Sequence, residues 1–126
     1  MMVLENLFYT ETHEWVKVDG NIATIGITDY AQHELGDIVF VELPDVDDEV
    51  TKGEPFGTIE AVKAVEDLNC PVSGKVVEIN ENLDGAPETI NESAFEEGWI
   101  VKIELSDKSE LENLLNAEAY KKIIEE

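Results

Sequence analysis

A mainly β fold with short helices and a helical C-terminal segment follows from three features of the sequence. β-branched and aromatic runs recur up to Leu105, Gly and Pro punctuate them at short intervals, and helical spacing takes over only after Leu105. Residues 15–18 and 22–27 flank Asp19-Gly20-Asn21, a turn-forming triplet, and read as a hairpin. Thr28 can cap a short helix whose Ala31 and Leu35 share a face, and Gly36 stands where a helix stops. Residues 38–43 form a β-branched and aromatic run ended by Pro44-Asp45. Residues 58–62, 65–68, 75–79 and 99–105 read as further strands. The last alternates: Trp99, Val101, Ile103 and Leu105 face one way, Lys102 and Glu104 the other. Beyond it, Asp107 with Glu110 resembles a capping box, followed by Leu111, Leu114 and Leu115 at helical spacing. Asn116 interrupts, and Ala117, Tyr120 and Ile124 suit a second short helix.

A weak internal echo suggests how the strands are layered. Gly36-Asp37-Ile38-Val39 and Gly74-Lys75-Val76-Val77 each open a strand, and each is followed by a return through Gly to an aromatic and another strand. Two such units packed face to face would make a small sandwich. With no linker or low-complexity stretch, residues 1–126 read as one domain. Its β core covers about residues 7–105 and its terminal helices about 107–125.

Composition narrows the function classes. The chain has 126 residues, 43% of them apolar, with 30 acidic and 8 basic residues and a formal net charge of −22. All of the basic residues are Lys, and the acids run along the whole chain rather than in one tail. Binding to nucleic-acid phosphates or to an anionic membrane would need clustered cations, so both are excluded. The charge suits a monomer that repels its own copies and meets partners through basic docking faces. Simple solubility or halotolerance is the competing account. Cys70 is the only cysteine, which rules out an intrachain disulfide and points to a reducing compartment. No apolar run approaches the ~20 residues of a membrane span, and no signal or transit peptide is visible. The expectation is a bacterial or archaeal cytoplasmic protein, or a processed chain of the mitochondrial matrix. His13, His33 and Cys70 form no metal-ligand spacing, and nothing pairs Cys70 with a base, so no metal site and no catalytic cysteine are expected.

The segment with chemical content is Thr58-Ile59-Glu60-Ala61-Val62-Lys63-Ala64-Val65-Glu66-Asp67-Leu68, nearly mirror-symmetric about Lys63. Two strands folding back on each other would put Lys63 at a tip. The usual turn residues are missing, so turn chemistry alone does not require a bend there. By composition alone Lys63 is an ordinary solvated lysine.

A resemblance gives it a role. Gly57 through Ala64, then Asp67 and Cys70-Pro71-Val72-Ser73-Gly74-Lys75-Val76, resembles the lipoyl-attachment motif of glycine cleavage H-proteins. Tyr9-Thr10 with His13-Glu14-Trp15-Val16, Ala23 through Thr28 with Ala31-Gln32 and Leu35-Gly36-Asp37, and Pro87-Glu88, Ile90-Asn91 and Gly98-Trp99 resemble further blocks of that family. The resemblance implies a lipoyl/biotinyl-type fold, a flattened β-barrel or sandwich (hybrid hammerhead). It implies lipoate bound covalently as an amide on Lys63, with Glu60 and Gly74 important for modification. The protein would be a carrier, not an enzyme, with the hard chemistry done by the cofactor. It would take an aminomethyl group from the pyridoxal-phosphate glycine decarboxylase to the tetrahydrofolate-dependent aminomethyltransferase, and be reoxidised by dihydrolipoamide dehydrogenase. A lipoyl ligase or transferase would load it. In the family the loaded arm folds into a cleft; the matching positions are Thr12, Glu14 and Asp67, the acids suiting a cationic amine. Thr12 stands where Ser is frequent, and Ala61 and Cys70 also replace frequent Ser.

Rival readings fit less well. Biotinyl domains place Met on both sides of the lysine, unlike Val62 and Ala64. Lipoyl domains of acyltransferase complexes commonly have Asp before the lysine and lack a His13-Glu14-Trp15 block. A Schiff-base enzyme needs a lysine of lowered pKa, whereas one among carboxylates keeps its proton. An acidic interaction protein would need no lysine motif. An H-like carrier that relays lipoyl groups, or works outside glycine cleavage, shares every motif.

Overall fold

The computed structural model describes residues 2–125, which form two antiparallel sheets with short helices at their margins. The larger sheet has six strands, in spatial order β1 (Phe8–Tyr9), β2 (Glu14–Asp19), β3 (Ile22–Ile27), β9 (Val101–Leu105), β8 (Gly74–Ile79) and β5 (Glu49–Val50). The smaller has three, β4 (Ile38–Glu42), β6 (Pro55–Ala61) and β7 (Val65–Asn69), with β6 in the middle. Helices α1 (Asp29–Leu35), α2 (Asn82–Gly85), α3 (Thr89–Glu92) and α4 (Ala117–Ile124) are short, and Lys108–Asn113 is a 3-10 helix. Neither sheet closes into a barrel, so the flattened sandwich is the form adopted.

Local chemistry accounts for the elements the sequence announces. Gly20, the first loop residue of the β2–β3 hairpin, takes the positive φ (64°) that a two-residue hairpin turn needs. Thr28 caps α1 by accepting the Ala31 N–H (3.2 Å), and Gly36 ends it at φ 80° with its N–H on Gln32 C=O. The two arms of the internal echo lie in different sheets: β4 and β6 in the small one, β8 and β9 in the large one. Val41, Ile59 and Leu68 share a single buried cluster with Ile25, Val76 and Ile103. A second cluster of Leu7, Tyr9, Trp15, Ala117 and Tyr120 fixes α4 against β1 and β2, and a two-way bridge joins Tyr9 to Leu115.

Three expectations change. The strand expected over residues 99–105 begins at Val101, because Trp99 turns back through an N–H bond to Glu96 C=O and packs with the second cluster. Its alternation survives: Val101, Ile103 and Leu105 are buried and Glu104 is exposed. The α-helix expected after Asp107 is a 3-10 helix. Asp107 caps Ser109, but Glu110 does not return to close the box; its carboxylate accepts the N–H (2.7 Å) and hydroxyl (2.9 Å) of Ser73 on the approach to β8. A long-range bond has outcompeted a local one. Finally β1, β5, α2 and α3 carry no sequence signal, being too short to show a period.

Candidate functional site

Strands β6 and β7 form a hairpin with Lys63 at its tip. The last pairs are Glu60 with Val65 and then Ala61 with Ala64, whose C=O accepts the Ala61 N–H at 2.8 Å. Positive φ occurs outside glycine only at His13 and Asp47 among the described residues, so this turn is neither of the primed types. That is why turn chemistry could not find it. The tip is held from outside instead. The Val62 N–H donates to Asp37 C=O (3.1 Å), and Asn91 of α3 fastens the segment carrying Asp37. The Asn91 amide donates to Gly36 C=O (2.9 Å) and accepts the Ile38 N–H (2.9 Å). Gly36 lies beside the lysine, where a Cβ would make ordinary contact with Lys63 Cε at 3.4 Å; its φ of 80°, not space, is what favours glycine. Lys63 itself is exposed and belongs to no ion pair among the described residues.

A cleft of about 570 Å³ opens beside this tip. Ala64, Glu66 and Asp67 of the hairpin line it, with Tyr30 and Glu34 of α1, the apolar Ile27, Leu35, Ile59 and Leu68, and Thr12 and Glu14. The structure therefore brings three expected residues to one cleft, Thr12, Glu14 and Asp67, and Lys63 is the chain neighbour of a fourth lining residue, Ala64. Glu60 is exposed and lies between Phe40 and Val65 in one cross-strand row, three residues before the lysine. Gly74 is remote: it opens β8 in the other sheet, where a Cβ would fall 2.0 Å from Glu104 C=O. The close approach of β8 to β9 requires glycine there.

Glu14 is the unusual group. Its side chain is only 2% exposed, and no cation is paired with it among the described residues. Oε1 accepts the hydroxyls of Thr10 (2.6 Å) and Thr12, and Oε2 accepts a long bond from the Asn69 N–H (3.4 Å). Burial raises its pKa, and these bonds offset the shift only in part. A second cavity of about 490 Å³, lined by Tyr9, Lys52 and Pro71 among others, also reaches Glu14. Two hydroxyls and one backbone N–H are thus the hydrogen-bond partners of a buried carboxylate that has no cationic partner among the described residues.

Sequence reasoning missed Thr10 and Asn91. Thr10 bonds both the Glu14 carboxylate and the Glu14 N–H (3.0 Å), a local threonine turn that the Thr10-x-x-x-Glu14 spacing could have signalled. Asn91 acts across 53 to 59 residues, and no local pattern reveals it. Cys70 is the buried small residue expected. Its thiol donates to Val72 C=O, and burial, with Glu14 and Glu110 nearby, pushes its pKa up to about 12. It has none of the features of a nucleophile.

Known proteins resemble this chain in sequence and in fold. A family model described as glycine cleavage H-protein matches residues 7–126. Proteins named glycine cleavage system H protein from Staphylococcus haemolyticus (strain JCSC1435) and Staphylococcus saprophyticus subsp. saprophyticus are each 60% identical to this chain over 126 residues, covering both chains completely. The crystal structure of a glycine cleavage system H protein from Mycobacterium marinum superposes with a TM-score of 0.91 at 33% identity, covering 98% of this chain and all of that one.

Proposed function

The chain belongs to the glycine cleavage H-protein family, whose members are carrier subunits rather than catalysts, and from that premise we propose that it bears lipoate as an amide on Nζ of Lys63. One observation carries the reading. An exposed lysine on a braced tip adjoins, through its neighbour Ala64, a cleft that is also lined by a buried carboxylate with no cationic partner among the described residues.

The chain's residues fit that group in two ways. Lys63 is exposed, so an activated acyl group can be brought to its amine without unfolding the chain. Attachment forms the N–C amide bond as the bond between the acyl carbon and its activating group breaks; the activating group leaves with that electron pair, the amine gives up its protons, and the lysine charge is lost. The cleft floor of Ile27, Leu35, Ile59 and Leu68 suits an aliphatic arm. When bound, lipoate supplies disulfide–dithiol redox chemistry and a sulfur able to carry a one-carbon amine. Glu14, with Thr10 and Thr12 orienting its carboxylate, would neutralise an ammonium at the end of the cleft, and Asp67 adds a second negative charge on its wall. The dry floor would keep water from the carried group. Glu60, on the outward face beside the tip, and Gly74, through the packing of β8, would support recognition by the lipoyl ligase or transferase.

The whole chain then acts as one carrier domain. It accepts an aminomethyl group at glycine decarboxylase, surrenders it at the aminomethyltransferase, and returns electrons through dihydrolipoamide dehydrogenase. Its net charge of −22 suits a monomer docking on basic faces of those enzymes. Among the described residues no helix is long and apolar enough to cross a membrane, and a bacterial cytoplasm fits the staphylococcal relatives. Intact mass of the protein from its native host tests the attachment. The expected result is a lipoyl mass increment that vanishes in Lys63→Ala. An unmodified protein from lipoate-replete cells would overturn the proposal.

A further inference from the structure

Glu14 stands on a turn that is held both by its own residues, through Thr10, and by distant parts of the chain. The chain reverses between β1 and β2, and the residue before Glu14, His13, takes φ 72°. A side chain with a Cβ is disfavoured there and persists only where the surroundings impose it. The surroundings come from distant parts of the chain. His13 Nδ1 lies 2.9 Å from Tyr120 Oη, 107 residues later, and Tyr120 Oη lies 2.7 Å from Thr28 Oγ1. The Thr28 N–H in turn donates to His13 C=O at 3.0 Å. Ring and carbonyl of His13 are thus both held, one by α4 and the other by the residue that caps α1.

Thr28 Oγ1 accepts the Ala31 N–H, and either hydroxyl can donate in its bond with Tyr120 Oη. The tautomer of His13 sets the direction of the bond between Nδ1 and Tyr120 Oη; a neutral ring with Nδ1 unprotonated accepts the Tyr120 proton. Burial lowers the His13 pKa, with only partial opposition from Glu34, in keeping with that form. Tyr120 is fully buried, and its ring stacks on Tyr9 at 4.6 Å and 8°. Both ends of the turn therefore rest on the same tyrosine.

We propose that Tyr120 is a positioning residue of the cleft: through its hydroxyl, α4 holds His13 in the left-handed conformation and so aims Thr12 and Glu14 into the cleft. The consequence for carried cargo rests on the reading of Glu14 as the anionic end of that cleft; the brace itself does not.

Tyr120→Phe tests it, because the ring and its stacking remain while the hydroxyl leaves. Ile124→Ala is the control, since Ile124 packs in the same cluster without touching the turn's hydrogen bonds. Both variants are made in the full lipoylated chain. Two quantities are read: the carboxyl NMR titration of Glu14, and the hydrolytic lifetime of the aminomethyl-loaded protein. The titratable groups around Glu14 are Glu11 and His13 on its turn, Tyr9 of β1, Tyr30 and Glu34 of α1, Glu66, Asp67 and Cys70 from the β7 side, Lys52 ahead of β6, and Tyr120. Only Tyr120 is altered. In Tyr120→Phe the Glu14 midpoint should fall toward ordinary carboxylate values as water enters, and the lifetime should shorten roughly two- to tenfold, the effect of about one hydrogen bond. Ile124→Ala should lower Tm and leave both quantities unchanged. An unmoved Glu14 midpoint in Tyr120→Phe, or an equal movement in Ile124→Ala, overturns the proposal. A moved midpoint with an unchanged lifetime supports the brace and overturns the cargo role of Glu14.

Discussion

Gly74→Ala is the substitution whose consequence the structure specifies most sharply. The new Cβ would lie 2.0 Å from Glu104 O, 2.8 Å from Ile103 Cγ2 and 3.0 Å from Glu104 C, where ordinary contact begins at 3.4 Å. Two of these atoms are backbone on β9, so no side chain can swing aside. Strand β8 must retreat from β9 by more than an ångström, which opens the pairing of Gly74 with Leu105 and strains its pairing with Val50. Overpacking of this kind costs roughly 1–3 kcal/mol, and about two weakened ladder bonds add roughly 1 kcal/mol each. A loss of about 3–5 kcal/mol is a large share of the roughly 5–15 kcal/mol that holds a domain. At an unfolding entropy of ~2.1 cal/mol/K per residue, it lowers Tm by about 10–20 °C. Thermal unfolding of the purified variant followed by circular dichroism measures this directly. A variant that melts with the parent protein would refute the steric account and leave modification as the only reason for glycine at this position.

Two further outcomes follow from groups the fold has buried. Burial raises the Glu14 pKa, so folding favours its protonated form; the stability this confers is present at low pH and lost as pH rises from the ordinary Glu range through the folded-state value. Glu14→Gln removes that loss, and the unloaded variant should exceed the parent by roughly 1 kcal/mol at pH 7, with the advantage shrinking toward pH 4. Urea unfolding at several pH values reads the slope, and an advantage that shrinks with rising pH would contradict the sign. The same variant should release cargo faster once lipoylated, a case of a binding group retained against stability. The Cys70 thiol, held near a pKa of about 12, has almost no thiolate at pH 8. Native protein should resist iodoacetamide over hours, whereas protein unfolded in urea should react stoichiometrically; rapid labelling of the native form would show that Cys70 is not buried in solution.

Much of this protein is written in local sequence. The β2–β3 hairpin is set by Asp19-Gly20-Asn21, α1 by Thr28 and Gly36, and the buried face of β9 by its alternation, because each depends on residues within a few positions of one another. The lysine and the identity of its family are also legible, since motif residues stand in order along the chain. What sequence alone could not supply is how the site is held. The Lys63 turn has no turn residues of its own and is imposed by Asp37 and Asn91. The left-handed His13 depends on Tyr120, and the failed capping box at Asp107 reflects the reach of Glu110 to Ser73. Each of these is a hydrogen bond between residues far apart in the chain, whose partners become neighbours only in the folded protein. Local preference therefore determined where strands and caps fall, the order of motif residues drew attention to Lys63, and tertiary contact decided the conformation of the turns at Lys63 and His13.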